Sequence, residues 1–319
     1  MRGVFKSALA SVPRWGMAVA AAICTSLWPA HAHAEQTQSH REVLERHLAG
    51  PDGTIMIVAH RACWIGTSEN SIAAIHACIT AGIDMVELDV RMTSDGVLVL
   101  MHDATVDRMT EGTGQLSDLS WAQLQKLHLR ADRGHGTPLT QNRIPTFEDA
   151  LRAAKDRILI NIDAKTDRIE DILAVVDKVG SRAQVLFKAE APVDHIRAKA
   201  PWIDQVHFQP IIRQPAMQKD PAAIIASYDT IGPVSYEIDI KDQAFTPVLT
   251  PLIDARCARY WIDTLAGRAY DDDVAIRDPD RVWGRLFAHG VNAIQTDAPL
   301  ELKAYIERTG AKARSCSPP

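Results

Sequence analysis

The sequence has no CxxC pair, no basic patch or stripe and, after its N-terminal segment, no apolar run long enough to cross a bilayer. Each absence removes a class of function. With a net charge of −5 and no clustered Lys or Arg, nucleic acid is not expected as a partner. The cysteines Cys63, Cys78, Cys257 and Cys316 are widely spaced, so a zinc site is not expected. In an exported protein they can pair, but spacing alone does not say how. The oligomeric state is not legible.

The N-terminal segment differs from the rest. Arg2, Lys6 and Arg14 form a basic front, "WGMAVAAAICTSLW" an apolar stretch, and "AHAHA" a small-x-small site ending at Ala34. Residues 1–34 therefore read as a cleaved export signal, with a periplasmic or secreted mature chain and no stable membrane insertion after removal. An uncleaved anchor is the weaker alternative. His31 and His33 fall in the removed part. Residues 35–54 read as a tether or a short leading helix, and 309–319 as a C-terminal tail.

Between these, short apolar strands alternate with helical stretches: 54–60, 85–90, 97–103, 157–165, 183–189, 206–212, 234–240, 259–265 and 291–297. Alternation of this kind predicts a parallel sheet. Only "RMTSDG" separates the second strand from the third, too short for a parallel crossover, so "VLVLMHD" folds back as a hairpin. Eight parallel strands remain. The expected fold is an α/β (β/α)8 TIM barrel over 55–308, with a hairpin after strand 2 and an insertion at about 104–145 in which no clear strand is visible. That insertion reads as a lid or substrate wall.

Barrel sites form at the carboxyl ends of the strands. Glu87 and Asp89 lie two apart there and share one face. The hairpin returns His102 to the same rim, the first strand ends at His60–Arg61, and the third barrel strand brings Asp163 and Lys165. Three carboxylates at one rim repel each other unless a cation joins them. One hard divalent ion, Ca²⁺ or Mg²⁺, suits an all-oxygen set. Ion pairing to Arg61 or Lys165 is the other solution, and both can hold at once. Arg61 and Lys165 suit a phosphate, and His60 with His102 suits a proton-transfer pair. The combination points to phosphodiester cleavage.

The stretch "AHRACWIGTSENSIAAIHACITAGIDMVELDVRMTSDGVLVLMHDATVDRMTEGTG", followed by "RIPTFEDAL", "NIDAK", "YWIDTL" and "GVNAIQTDAPLEL", resembles the glycerophosphodiester phosphodiesterase family. The resemblance spans about residues 55–305. It implies a TIM barrel, His60 and His102 as acid and base, Glu87, Asp89 and Asp163 as metal ligands, Arg61 and Lys165 as phosphate contacts, and a small-molecule phosphodiester as substrate. The expected reaction is metal-dependent hydrolysis to an alcohol and glycerol 3-phosphate. One family route starts with attack by the substrate's own hydroxyl and passes through a cyclic phosphate.

Departures from the family pattern are Ala62 for the usual Gly, which puts pocket shape in question, Ser68 for Pro, Asp163 for Glu, and Lys188 at the end of the fourth barrel strand. Lys188 is an extra phosphate contact or a snorkelling surface lysine. Trp261, with Asn142 and Arg143, shapes the leaving-group pocket or merely fills the barrel. Ser68 or Asn70 is the expected cap of the following helix, and Glu69 is expected to hold Arg61 rather than the metal. Asp103 orients a neighbour, and Asp297 is structural or braces a histidine. Asp271, Asp272 and Asp273 read as a solvated loop outside the site. Two alternatives share these residues: an enzyme that stops at the cyclic phosphate, and an inactive exported protein that binds phosphorylated ligands.

Overall fold

A computed structural model of the chain describes residues 40–316; the segment read as an export signal lies outside them. Eleven strands are formed among the described residues: β1 (Met56–Ala59), β2 (Met85–Met92), β3 (Leu98–Leu100), β4 (His128–Arg130), β5 (Leu139–Arg143), β6 (Leu159–Ala164), β7 (Val185–Ala189), β8 (His207–Arg213), β9 (Ser235–Asp239), β10 (Arg259–Asp263) and β11 (Ala293–Thr296). Parallel pairing runs β1–β2–β6–β7–β8–β9–β10–β11, and β11 pairs back onto β1, closing an eight-stranded barrel. β3 lies antiparallel on the end of β2, with Val90 opposite Leu100. The hairpin inferred from the six-residue spacer is thus present.

The first crossover helix, Ile72–Ala81, is capped by Ser71, which accepts a hydrogen bond from the Ala74 amide at 3.0 Å. This corrects the expected cap at Ser68 or Asn70: only Ser71 stands next to the first helical residue with extended backbone. Gly82 ends the helix at φ 67°, where a side chain would be strained.

Residues 104–145 are more ordered than their sequence suggests. β4 and β5 form an antiparallel ribbon, and Val106, Met109, Leu116, Leu124 and Leu129 make a small core with Val99 and Met101 of the hairpin. The ribbon escaped the sequence reading because only Leu129 of its eight residues is buried, so no alternation of apolar residues marks it.

Inside the barrel, Met56, Val58, Met85, Leu159, Leu186 and Trp261 fill the end opposite the strand carboxyl termini. The stretch read as a tether or leading helix is the helix α1 (His40–Ala49), and its Leu44 and Leu48 seal this layer from below. Arg259 locks α1 in place. Fully buried, it donates to the His47 carbonyl at 2.7 Å and the Thr54 carbonyl at 3.1 Å, and pairs with Asp52 at 3.2 Å. The described residues of the stretch read as a C-terminal tail are tied to the fold. Cys316 is bonded to Cys257, and its amide donates to the Pro51 carbonyl at 2.9 Å. Among the described residues no helix is long and apolar enough to cross a membrane.

Removing a buried cation strands its partners in low dielectric. Arg259→Leu is therefore expected to cost about 3–5 kcal/mol, read as a lower urea midpoint. An unchanged midpoint would contradict the locking role.

Candidate active site

Period-two alternation on β2 turns Glu87 and Asp89 into the barrel, both about 1% exposed. Register places Asp89 beside Asp163 of β6, and ligand oxygens of the three carboxylates lie within 4.8 Å of one another. Their environments differ. Asp89 accepts from Asn70 Nδ2 at 2.8 Å, with Lys165 Nζ at 3.3 Å and Arg61 Nε at 3.6 Å. Asp163 accepts from Lys165 Nζ at 2.8 Å and lies 3.7 Å from Lys188. Burial alone would raise Asp163, but Lys188 and Lys165 outweigh it and hold this carboxyl below its usual range. Glu87 accepts only the Arg61 amide, at 3.1 Å, among the described residues. Burial, then the neighbouring Asp89, pushes its carboxyl well above the ordinary value. Ion pairing thus accounts for two of the acids, while Glu87 has no ion pair among the described residues and the more distant Lys188 only partly offsets its burial. An all-oxygen triad with one carboxylate outside any ion pair fits a hard divalent cation.

Each histidine is braced through Nδ1. His60 follows β1 and donates to Asp297 at 2.8 Å. Burial lowers its pKa in spite of that partner. His102 follows β3 and donates to Asp103 at 2.7 Å, and its carbonyl accepts from Arg91 Nη2 at 2.7 Å. In both rings Nε2 is left as the nitrogen available to a ligand. Burial would raise Asp103 and Asp297, but hydrogen bonds and cations keep both below their usual range: Arg108 then His102 for Asp103, and His60 then Arg133 for Asp297.

The two dyads are tied together by Glu69, which is buried. It accepts from Arg61 Nη1 at 3.0 Å, as expected, and from Arg108 Nη2 at 2.5 Å, with Arg133 Nε at 3.8 Å. Arg108 also binds Asp103 at 2.6 Å, and Arg133 binds Asp297 at 2.9 Å. A continuous path of ion pairs therefore runs from His60 to His102. Arg108 and Arg133 both come from the insertion, and the sequence reading missed them. The turn after β1 is unusual: Arg61 and Ala62 have φ of 56° and 65°, and Asn70 has 53°. Left-handed backbone costs a non-glycine residue roughly 1–2 kcal/mol. The Asn70 amide donates to the Arg61 carbonyl at 3.0 Å, and a disulfide joins Cys63 to Cys78, so the turn is held from both sides. Ala62 packs into the hydrophobic core and does not line the cavity, so its extra methyl leaves the cavity wall unchanged.

These residues open on a cavity of about 430 Å³ lined by His60, Arg61, Glu87, Asp89, His102 and Asp163, with Lys165 and Lys188. Lys188 is not a surface lysine: its side chain is 4% exposed, 3.7 Å from Asp163 and 3.6 Å from Glu237. Trp261 requires correction. It is fully buried in the lower layer, does not line the cavity, and reaches it only through a 3.0 Å bond from Nε1 to Asp263, so it fills the barrel. Asn142 donates to Ser68 Oγ at 3.0 Å and Arg143 to the Lys126 carbonyl, and neither lines the cavity.

The acidic run is a second correction. Asp271 caps the helix Asp272–Arg277. Asp272 is buried and accepts from Thr264 at 2.6 Å, Thr296 at 2.8 Å and the Asp297 amide at 2.8 Å. It thereby fixes the backbone of the residue that braces His60. The N-cap pattern of an Asp followed by a helix was the available signal.

Burial pushes the Asp272 carboxyl up to about 7. Its folded-state pKa exceeds the unfolded one, so its contribution is full below about pH 4 and is lost as pH rises toward 7. The stability difference between the protein and Asp272→Asn is expected to change by about 2–4 kcal/mol between pH 4 and 8, in favour of the variant at high pH. Parallel denaturation curves at both pH values would contradict this.

Comparisons with known proteins agree with the geometry. The model of the glycerophosphoryl diester phosphodiesterase family matches residues 60–301. Glycerophosphodiester phosphodiesterase 1 of Homo sapiens is 43% identical over 101 residues, 32% of this chain and 30% of that protein. The glycerophosphodiester phosphodiesterase of Caldanaerobacter subterraneus is 38% identical over 112 residues, 35% of this chain and 45% of that one. The match thus covers less than half the length of these curated relatives. Among solved structures, a glycerophosphoryl diester phosphodiesterase from Parabacteroides distasonis superposes with a TM-score of 0.67 at 23% identity, over 84% of this chain and 92% of that one. With barrel, triad, paired histidines and family model in agreement, the chain belongs to the glycerophosphoryl diester phosphodiesterase family.

Proposed function

We propose that the protein hydrolyses glycerophosphodiesters to an alcohol and glycerol 3-phosphate, using His60 and His102 as acid and base and a divalent cation, Ca²⁺ or Mg²⁺, held by Glu87, Asp89 and Asp163. The observation that carries the reading is the pair of Asp-braced histidines opening on the same cavity as the acid triad. Binding alone requires no second proton-transfer group. Family membership and the names of the partial relatives support the substrate class.

Arg61 and Lys165 hold the phosphate in this reading. Burial works against Lys165, but Asp89 and Asp163 keep its pKa above the ordinary value, so it stays an ammonium. When bound, the cation neutralises developing charge on phosphorus-bound oxygen. His60, kept neutral by burial, takes the proton of the attacking hydroxyl, either the substrate's own or water's. His102 protonates the departing alkoxide. Asp297 and Asp103 fix the tautomers that make Nε2 reactive. Export through residues 1–34 completes the proposal; the two disulfides support an oxidising compartment.

Chelation is expected to abolish release of glycerol 3-phosphate from glycerophosphodiesters, and added Ca²⁺ or Mg²⁺ to restore it; full activity in chelator would contradict the metal. His102→Ala is expected to lower kcat by about 10²–10⁴ while metal-dependent stabilisation survives. A variant that retains kcat would remove His102 from the reaction. Because burial lowers His60, the acidic limb of kcat/KM should lie below about pH 6.5; a limb at pH 7 or above would contradict His60 as base.

A further inference from the structure

The half of the cavity facing away from β2 and β6 is built from β9, β10 and β11, and its inward residues take no part in the proposed phosphoryl chemistry. Register sets Glu237 beside Trp261 and Asp263 beside Gln295, so Glu237, Asp263 and Gln295 turn inward on three adjacent strands. All three line the cavity. Gln295 is 3% exposed, and its Oε1 has no hydrogen-bond donor among the described residues. Glu237 accepts from Gln209 at 2.6 Å and Asp263 from Trp261 at 3.0 Å, each through one oxygen. At the rim, Asp239 is saturated by Arg213 and Arg268 at 3.0 Å each and by Lys241 at 3.1 Å, so it holds Arg268 beside the cavity as a donor. Among the described residues no Phe, Tyr or Trp lines the cavity, and its few apolar members are Ile211, Leu265 and Ala266.

We infer that this half is the subsite for the released alcohol and that it selects polyhydroxylated alcohols of the glycerol, inositol or sugar class. The inference rests on the phosphodiesterase reading above. A buried acceptor without a donor is costly, and a ligand that donates removes the cost. A quaternary ammonium has no proton to give and is held by aromatic faces, which are missing here. A primary ammonium can donate to Glu237 or Asp263 but cannot accept, so it leaves Lys188 and Arg268 facing a like charge with no acceptor. An acyl chain would find charged walls. A hydroxyl donates to Gln295 Oε1 or a carboxylate and accepts from Arg268 or Lys188 in the same geometry. Several hydroxyls on one carbon frame use the whole row.

The test compares glycerophosphoinositol and glycerophosphoglycerol with glycerophosphocholine and glycerophosphoethanolamine as substrates of the full chain with Ca²⁺ or Mg²⁺ present. The expected kcat/KM favours the polyol esters by about 100-fold or more, the scale on which a site built for hydroxyl groups rejects ligands that lack them. Equal rates, or preference for the choline or ethanolamine ester, would overturn the subsite while leaving the phosphodiesterase reading intact. Turnover of none of the four would instead sink that reading. Calorimetric titration with the intact inositol and choline esters then decides the subsite by itself: tighter inositol ester supports it, equal affinity overturns it. Gln295→Leu, close in size, is expected to lower the inositol-to-choline preference at least tenfold, and Arg268→Gln at the rim to lower it as well. A preference unchanged in both variants would overturn the assignment.

Discussion

Three carboxylates inside one barrel repel one another, and Glu87, Asp89 and Asp163 bring ligand oxygens within 4.8 Å of each other. Much of the surrounding design answers that repulsion. Lys165 bridges Asp89 and Asp163, Lys188 stands between Asp163 and Glu237, and Arg61 leans on Asp89. These cations neutralise part of that charge, Lys165 by a direct 2.8 Å contact with Asp163. Glu87 is the one of the three with which none of these cations forms an ion pair among the described residues, Lys188 acting on it only from a distance, and it is the position at which a divalent ion has most to stabilise. The lower end of the barrel shows the contrast: Met56, Val58, Leu159 and Trp261 make an apolar plug beneath this charged layer. Stability and chemistry are thus segregated along the barrel axis, as in other barrels of this kind.

The second organising feature is the way the insertion completes the site. Arg108 and Arg133 leave the barrel's periodic framework entirely, yet each clamps the aspartate that orients a histidine, and both meet at Glu69. A shift of the insertion would move both histidine braces and Arg61 together. The left-handed turn at Arg61 and Ala62 is stapled on its far side by the Cys63–Cys78 bridge, which joins the turn to the first crossover helix. The site is therefore held by elements on three sides, and its geometry does not depend on the barrel strands alone.

The barrel and the inner site were legible because they follow short-range rules. Period-two spacing put Glu87 with Asp89 and Asp163 with Lys165 on one face, and a six-residue spacer forced the hairpin that carries His102. What was not legible depends on tertiary placement. The ribbon of β4 and β5 has almost no buried face, so its pattern is blank. Arg108 and Arg133 look like surface charges in an aperiodic stretch. Three consecutive aspartates suggest solvent, and only the fold separates the capping Asp271 from the buried Asp272. Trp261 is an inward residue, but depth along the strand, which sequence does not report, decided between plug and pocket. Cysteine pairing was equally closed to inspection, since it needs Cα atoms brought to 5.2 and 5.5 Å from positions distant in the chain.

The central claim is that the triad holds a single divalent cation, and the most direct measurement is anomalous diffraction from crystals grown with Mn²⁺ as the probe ion. One strong peak in contact with carboxylate oxygens of Glu87, Asp89 and Asp163 is expected. A density map with no peak there, or with the ion bound at another site while the triad stays closed by Lys165 and Lys188, would contradict it.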